Sequence, residues 1–212
     1  MKAGTLLLLL FTIQAAGPSF IMAQNCPSDS VSKATVMDGS SLSIEGSSTL
    51  HSWTVDATRF SVTFCIPPTW FESPDNWTGE DVARLSVIVP VEGLDGGRNK
   101  MNRDLKKALN FDEHKDIYFE WGDLRLTGKT DIGWRAAVEG SVTVAGVTRA
   151  VSFDADLSFN EWNQVVAEGR VPLKMTDFDV DPPTALFGVI RTDDEIDINF
   201  EIYFSAVGTG ND

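Results

Sequence analysis

Four stretches of this sequence alternate apolar and polar residues with a period of two. The longest places Ile196, Ile198, Phe200, Ile202 and Phe204 among more polar neighbours. Successive side chains of a β-strand point to opposite faces, so each stretch has one apolar and one polar face. The other three stretches alternate at Phe60, Val62, Phe64 and Ile66, at Val138, Gly140, Val142 and Val144, and at Val151, Phe153, Ala155, Leu157 and Phe159. This pattern predicts an all-β fold, an antiparallel sheet curled around one apolar interior.

The remaining patterns predict about eight strands and one short helix. Residues 100–109 place their apolar side chains at helical spacing. Ala145 and Gly146 stand between two alternating stretches, and a glycine at the second place of a two-residue loop supplies the positive φ of a β-hairpin turn. Residues 67–81 are rich in aromatic residues and proline, which predicts a loop over the barrel.

The N-terminus has the pattern of an export signal. A basic start, a compact apolar run over residues 6–13 and small residues up to Ala23 predict a secretory signal peptide over residues 1–23. The apolar run is shorter than the roughly 20 residues that a membrane-spanning helix needs, so no transmembrane segment is predicted. Residues 24–37 then form a lead-in segment, and residues 38–207 form a single barrel domain of a periplasmic or secreted protein.

Acidic residues outnumber basic ones, 31 to 17, and the formal net charge is −14. Such a field repels phosphate backbones, so nucleic acid is not a predicted partner. Basic residues nevertheless cluster in the predicted helix, which favours either the polar face of an amphipathic helix or a basic rim for a head group. The cluster consists of Arg98, Lys100, Arg103, Lys106 and Lys107.

The choice of residues predicts neither an enzyme nor a metal site nor a cofactor. The chain has only two histidines, His51 and His114, and no Gly-x-Ser-x-Gly motif of a nucleophilic serine. Residues 177–181 alternate aspartates like the start of a calcium loop. The sixth and twelfth places, which need glycine and glutamate, hold Pro182 and Gly188.

Two cysteines, Cys26 and Cys65, follow the predicted signal peptide. In an exported protein they can form a disulfide that ties the N-terminal segment to a strand. Alternatively, Cys65 is a small buried residue and Cys26 is free. The sequence contains no Cys-x-x-Cys motif, so neither arrangement indicates redox chemistry.

Several collinear segments resemble the YceI-like family of lipid- and polyisoprenoid-binding proteins. They are residues 42–54 (LSIEGSSTLHSWT), 100–109 (KMNRDLKKAL), 140–151 (GSVTVAGVTRAV) and 173–178 (LKMTDF), followed by the closing strand. The resemblance covers roughly residues 40–206. It implies an extended, lipocalin-like antiparallel β-barrel, found in the bacterial periplasm, whose interior holds a long-chain isoprenoid or a similar apolar amphiphile.

The strand parity then predicts which residues line the interior. Arg149 shares the inward parity of its strand, so we expect it, with Arg103 and Lys107 of the helix, to contact a head group at the mouth. The predicted lining consists of Phe60, Val62, Phe64, Leu85, Val87, Val89, Phe119, Trp121, Val142, Val151, Phe153, Leu157, Leu173, Met175, Ile198, Phe200 and Ile202.

Two other functions compete with a lipid carrier. The inward aromatic side chains could fill the tube themselves, because small barrels can be filled by side chains alone, and the protein would then be a scaffold or interaction module. Alternatively, tryptophans in or near loops could stack on sugar rings in a carbohydrate-binding module. The tryptophans in question are Trp70, Trp77, Trp134 and Trp162.

Overall fold

The computed structural model describes residues 26–27, 31–185 and 190–206, so the predicted signal peptide lies outside the described residues. The helix is α1 (Asn99–Ala108). The strands are β1 (Ser32–Lys33), β2 (Thr35–Val36), β3 (Ser41–Ser48), β4 (Trp53–Ala57), β5 (Ser61–Ile66), β6 (Arg84–Pro90), β7 (Leu94–Asp95), β8 (Asp116–Lys129), β9 (Gly133–Val144), β10 (Val147–Phe159), β11 (Val165–Lys174), β12 (Thr184–Ala185) and β13 (Ile190–Ser205). Short 3-10 turns occupy Pro68–Phe71, Pro74–Asn76, Gly79–Asp81, Val91–Gly93 and Met175–Phe178.

The all-β antiparallel class is confirmed, but the expected number of strands, about eight, is wrong. The described residues contain thirteen strands, of which β1, β2, β7 and β12 are two residues long. A two-residue strand has one residue on each face, so no period-two alternation can develop in it. The sequence pattern is therefore visible only in the longer strands.

Every strand pair in the described sheet is antiparallel, and the order along it is β5-β6-β8-β9-β10-β11-β13-β3-β4-β7. One extended segment closes this sheet into a barrel. β1 pairs with β5 and β2 pairs with β13, so residues 32–36 bridge two strands far apart in the order. Ala34 between them is buried, and its N–H donates to the carbonyl oxygen of Phe64 at 2.7 Å.

The predicted hairpin and helix are both present. Ala145 and Gly146 have φ values of 48° and 83°, the positive values that a two-residue hairpin turn between β9 and β10 requires. Helix α1 packs Met101, Leu105 and Ala108 against the core, which is the apolar stripe expected from their spacing. Lys100, Arg103 and Lys107 of this helix are exposed, whereas Lys106 is half-buried, with its Nζ 5.0 Å from the centroid of the Phe111 ring.

One end of the barrel is filled by aromatic side chains and covered by residues 67–81; we call it the capped end. Trp70 stacks on Trp77, with ring centroids 5.0 Å apart, and the Trp77 indole N–H donates to the Trp70 carbonyl oxygen at 2.8 Å. Trp77 also contacts the ring of Phe159 edge-on. The two tryptophans are 0% and 3% exposed, so the aromatic-rich loop is part of the core.

A disulfide joins Cys26 to Cys65, with the Cα atoms 5.6 Å apart. Cys65 lies in β5 and is completely buried. The covalent bond therefore fixes the start of the described chain to the capped end.

The opposite end is covered by α1 and the turn Met175–Phe178; we call it the helix end. A second core cluster lies there, and its buried members are Val55, Ala57, Val89, Val91, Leu94, Leu109, Phe178 and Val180. Each end of the barrel thus has its own packed cluster. Half-buried side chains pack against these clusters, Phe60 and Val87 against both of them, and the half-buried region is where a functional interior can lie.

Candidate functional site

Inward-facing side chains change from buried to half-buried along β13 and β10. On β13, Phe204 and Ile202 are 2% and 6% exposed, whereas Phe200 and Ile198 are half-buried. On β10, Leu157 is buried and Phe153 is half-buried. On these two strands the change occurs where the strand leaves the capped end.

The half-buried positions form one continuous region that we call the central zone. Its members on the inward faces are Leu42, Ile44, Leu85, Val87, Phe119, Trp121, Val142, Val151, Phe153, Leu173, Ile198 and Phe200. A barrel filled by its own side chains would bury such apolar residues at the packing density of an organic crystal. The central zone instead keeps apolar surface that the described side chains do not cover.

Two aromatic rings of the central zone fold onto the backbone of a neighbouring strand. A Cβ atom at Gly169 of β11 would lie 2.6 Å from Cζ of Phe200, and one at Gly140 of β9 would lie 2.8 Å from Cε2 of Phe119. The ring of each phenylalanine therefore covers a position that has no side chain, as in aromatic rescue of glycine. The rings follow the barrel wall and are not aimed across the bore.

Phe153 connects these two rings into one aromatic band. Its ring centroid lies 5.9 Å from that of Phe119 and 6.0 Å from that of Phe200. The three residues come from β8, β10 and β13, so the band runs over Gly140 and Gly169 of the intervening strands. It presents an apolar, polarisable surface to the interior.

The elements that cover the helix end are held by two carboxylates, of which Asp95 is exposed and Asp194 is half-buried. Asp95 accepts hydrogen bonds from the Asn102 side chain at 2.9 Å and from the Gly97 N–H at 2.8 Å, and these bonds lower the pKa of Asp95. Asp194 accepts from the hydroxyl and the N–H of Thr176, at 2.7 and 2.9 Å, which lowers the pKa of Asp194. Asp95 thereby anchors α1, and Asp194 anchors the turn Met175–Phe178.

The structure brings the predicted lining residues onto the inward face of one barrel. Five of them belong to the packed clusters as buried residues: Val62, Phe64, Val89, Leu157 and Ile202. The other twelve are half-buried: Phe60, Leu85, Val87, Phe119, Trp121, Val142, Val151, Phe153, Leu173, Met175, Ile198 and Phe200.

The three predicted head-group residues are all exposed. Arg149 lies on the inward row of β10, but its guanidinium donates to the Thr148 carbonyl oxygen at 3.1 Å. Arg103 and Lys107 lie on the solvated side of α1. Thr148 and Ala150 on the other face of β10 are exposed as well, so this part of β10, near the hairpin turn, is solvated on both faces.

Sequence reasoning missed that opening, which lies between β10 and β11. The two strands pair from Phe159 and Val165 as far as Ala155 and Gly169, and no further. Beyond this point β10 pairs only with β9, and β11 pairs only with β13, in the described sheet. The signal was Pro172 within an alternating stretch, because proline demotes a strand to an edge strand.

Among the described residues, no group of three or more histidine, cysteine, aspartate or glutamate side chains is arranged to hold a metal ion. His51 is exposed, and a Cβ at Gly146 would lie 2.5 Å from the ring of His114, so His114 packs against the hairpin turn.

The tryptophans do not form the sugar-stacking platform considered from the sequence. Trp70 and Trp77 are buried in the cap, and the Trp134 indole N–H donates to the Pro74 carbonyl oxygen at 2.8 Å. Of the four loop tryptophans, Trp162 alone is exposed, at 70%. Tryptophan suits core packing as well as stacking, and here three of the four serve packing.

The curled antiparallel sheet, closed at the capped end and interrupted between β10 and β11, and its apolar central zone define a lipocalin-like barrel protein. The sequence matches the YceI-like domain over residues 35–204, and the chain belongs to this family. The resemblance of its sequence segments is thereby confirmed. No helix among the described residues has both the length and the apolar composition to cross a membrane.

Solved structures share the fold. Burkholderia cenocepacia BcnA superposes with a TM-score of 0.62 at 16% identity, over 78% of this chain and 96% of that one. A polyisoprenoid-binding domain from Saccharophagus degradans, implicated in plant cell wall breakdown, superposes with a TM-score of 0.56 at 11% identity, over 84% of this chain and 98% of that one. The Campylobacter jejuni YCEI protein superposes with a TM-score of 0.54 at 16% identity, over 72% of this chain and 84% of that one. A search of curated proteins found no match to the chain.

Proposed function

We propose that this protein binds and carries a long-chain isoprenoid or a similar apolar amphiphile in its central zone, without catalysing a reaction. The observation that carries this proposal is the row of half-buried inward side chains between two packed clusters. Exposed apolar surface inside a barrel has no use in a scaffold, whereas a guest would remove it from solvent. The polyisoprenoid-binding relative from Saccharophagus degradans supports the same ligand class.

The physical gain from such a guest is large. Each buried methylene contributes about 0.8 kcal/mol, so ten of them give roughly 8 kcal/mol before ordering costs. Loss of translational and conformational freedom offsets much of this gain. The lining of valine, leucine, isoleucine and phenylalanine offers few directional contacts. We therefore expect the length and girth of the guest to matter more than its chemical identity.

A periplasmic or secreted location is part of the proposal. The signal-like N-terminus supports export, and the Cys26–Cys65 disulfide supports an oxidising compartment, where such bonds persist.

The solid-barrel scaffold is the second candidate, and one observation favours it. Phe64 contacts both Trp70 and Phe204, so the capped end is filled by protein side chains alone. The two candidates differ in the central zone, because a scaffold requires no guest there.

A substitution that fills the central zone tests the proposal. Val142 is half-buried on the inward face of β9, and Thr143 beside it faces outward. We expect Val142→Trp to weaken binding of a fluorescent long-chain alkyl alcohol by about 10-fold or more, because the indole would fill part of the central zone and reduce the apolar surface that the probe can bury. A tenfold loss of affinity corresponds to about 1.4 kcal/mol. The matched variant Thr143→Trp should bind the probe as the unmodified protein does. Equal binding by both variants, with near-native circular dichroism, would favour the scaffold.

A further inference from the structure

The wall of the barrel is interrupted on one side. β10 and β11 are neighbours in the sheet, yet their ladder stops at the Ala155–Gly169 pair. Above this pair, residues 147–154 of β10 and 170–174 of β11 each keep a partner on the far side only. The turn Met175–Phe178 packs against β10 and bounds the interruption at the helix end.

Pro172 explains why the ladder stops. Continuing the register of the Ala155–Gly169 pair would place Ser152 opposite Pro172. Proline has no N–H to donate, and within sheets it is confined to strand edges. Pro172 pairs with Asp197 of β13, so its free side is the side that faces β10.

A groove of about 700 Å³ runs over the outer face of β3, β9, β10, β11 and β13 and includes this interruption. Ser152 and Pro172, one from each separated strand, both line it. Members of the inward rows line the same groove, namely Phe153, Gly169 and Phe200. The groove thus brings the outer surface to the aromatic band of the central zone.

The two ends of the barrel offer no comparable route among the described residues. Trp70 and Trp77 cover the capped end, and Leu109 and Phe178 are buried at the helix end. Thr148, Arg149 and Ala150 of β10 are all exposed, on both faces of the strand, beyond the point where the ladder with β11 ends.

We propose that the gap between β10 and β11 is a lateral portal through which an apolar chain reaches the central zone while its head group stays outside. This inference rests on the proposed carrier function and adds the route and the class of head group. A lateral route lets the polar head remain solvated, so only the chain leaves water.

The charges along the groove favour an uncharged head group. Four carboxylates line it, Asp154, Asp156, Glu168 and Glu201, together with two guanidiniums. Both guanidiniums are engaged, Arg135 with Asp156 and Arg170 with Asp197. A phosphate ester would meet a net negative rim, whereas an alcohol or a carbonyl head would not.

Closing the portal tests the route. In the double variant Ser152→Cys with Pro172→Cys, a short bis-maleimide would bridge the two strands. The matched control bridges Thr143→Cys and Thr148→Cys, which are directly paired in the intact ladder of β9 and β10. The full chain would be mixed with a fluorescent long-chain alcohol in a stopped-flow instrument, and association, dissociation and equilibrium affinity would be measured.

A portal controls rates and leaves the bound state unchanged. We expect the Ser152/Pro172 bridge to slow association and dissociation together by about 10-fold or more, with little change in Kd, as for a gate that is closed. The control bridge should leave both rates unchanged. Unaltered rates in the Ser152/Pro172 bridge would overturn the portal, whereas absence of probe binding in the unmodified protein would overturn the carrier function itself.

A second variant covers failure of the double substitution to fold. Ser152→Cys alone would be labelled with either a small methylthio group or a bulky pyrene maleimide. Slower association with the bulky label alone supports the portal, and equal rates contradict it. The matching long-chain phosphate should associate more slowly than the alcohol at low salt, and the difference should shrink at high salt.

Discussion

Gly169 is the residue on which the position of the aromatic band depends most directly. Any side chain at this position meets the Phe200 ring at 2.6 Å and the Asp154 carbonyl oxygen at 3.2 Å. The ring would have to leave the wall and turn into the bore. A single methyl group can therefore change the volume available to a guest.

We expect Gly169→Ala to reduce stability by about 1–2 kcal/mol through overpacking, and to weaken binding of the alkyl probe. Urea unfolding and probe titration would measure the two effects. Gly128→Ala is the matched control, because Gly128 also lies in a strand but has open space around its Cβ position. That variant should stay within about 0.5 kcal/mol of the unmodified protein. Replacing Phe200 by leucine in the Gly169→Ala background should restore binding, and failure to do so would contradict the ring displacement.

At the scale of elements, the turn Met175–Phe178 joins the helix end to the portal. Its position depends on the two hydrogen bonds from Thr176 to the Asp194 carboxylate. Phe178 anchors the same turn in the core. Loss of the carboxylate charge would loosen the turn without removing the buried ring.

This arrangement gives a pH dependence with a defined sign. The pKa of Asp194 is lowered in the folded state from an ordinary value of 3.8, so its stabilising contribution is present above pH 3.8 and is lost as the pH falls through the folded pKa. The pKa of Asp95 is lowered in the same way. We therefore expect the thermal midpoint to fall on acidification below about pH 4.

Asp194→Asn should flatten that acid dependence. Scanning calorimetry between neutral pH and about pH 2.5 would compare the variant with the unmodified protein. Asp177→Asn serves as the control, since Asp177 is an exposed carboxylate of the same turn. An identical acid response in Asp194→Asn and the unmodified protein would contradict the role of this contact.

The elements also differ in how far the sequence predicted them. Long strands, the hairpin at Ala145 and Gly146, and helix α1 follow from patterns that are local in the chain. The barrel closure through residues 32–36 does not, because two-residue strands carry no period and their partners lie far away in sequence. Pro172 did indicate that hydrogen bonding to a neighbouring strand is interrupted. The sequence does not show which neighbour is affected, because that depends on the order of strands in the sheet.

At the scale of the whole molecule, the barrel combines a filled end, a half-buried middle and a covered end. The sequence predicted the lining from strand parity, but parity alone does not distinguish a fully buried side chain from a half-buried one, and five of the predicted residues are buried in the packed clusters. The side chains at the capped end are buried because Trp70 and Trp77 pack over them. This packing joins residues far apart in sequence, and nothing local in the sequence shows whether either tryptophan is buried or exposed. The aromatic cap reduces the length of bore that remains for a guest.

The central claim is that the interior holds a guest, and direct recovery of that guest tests it. The full chain would be produced in a bacterium that exports it, purified without detergent and extracted with organic solvent for mass spectrometry. Because each barrel has one central zone and burial of methylene groups there would retain the guest, we predict about one equivalent of a long-chain apolar lipid per barrel. We expect the Val142→Trp variant to contain none. Repeated recovery of folded protein with no such lipid, and no uptake of added long-chain alcohol, would contradict the carrier.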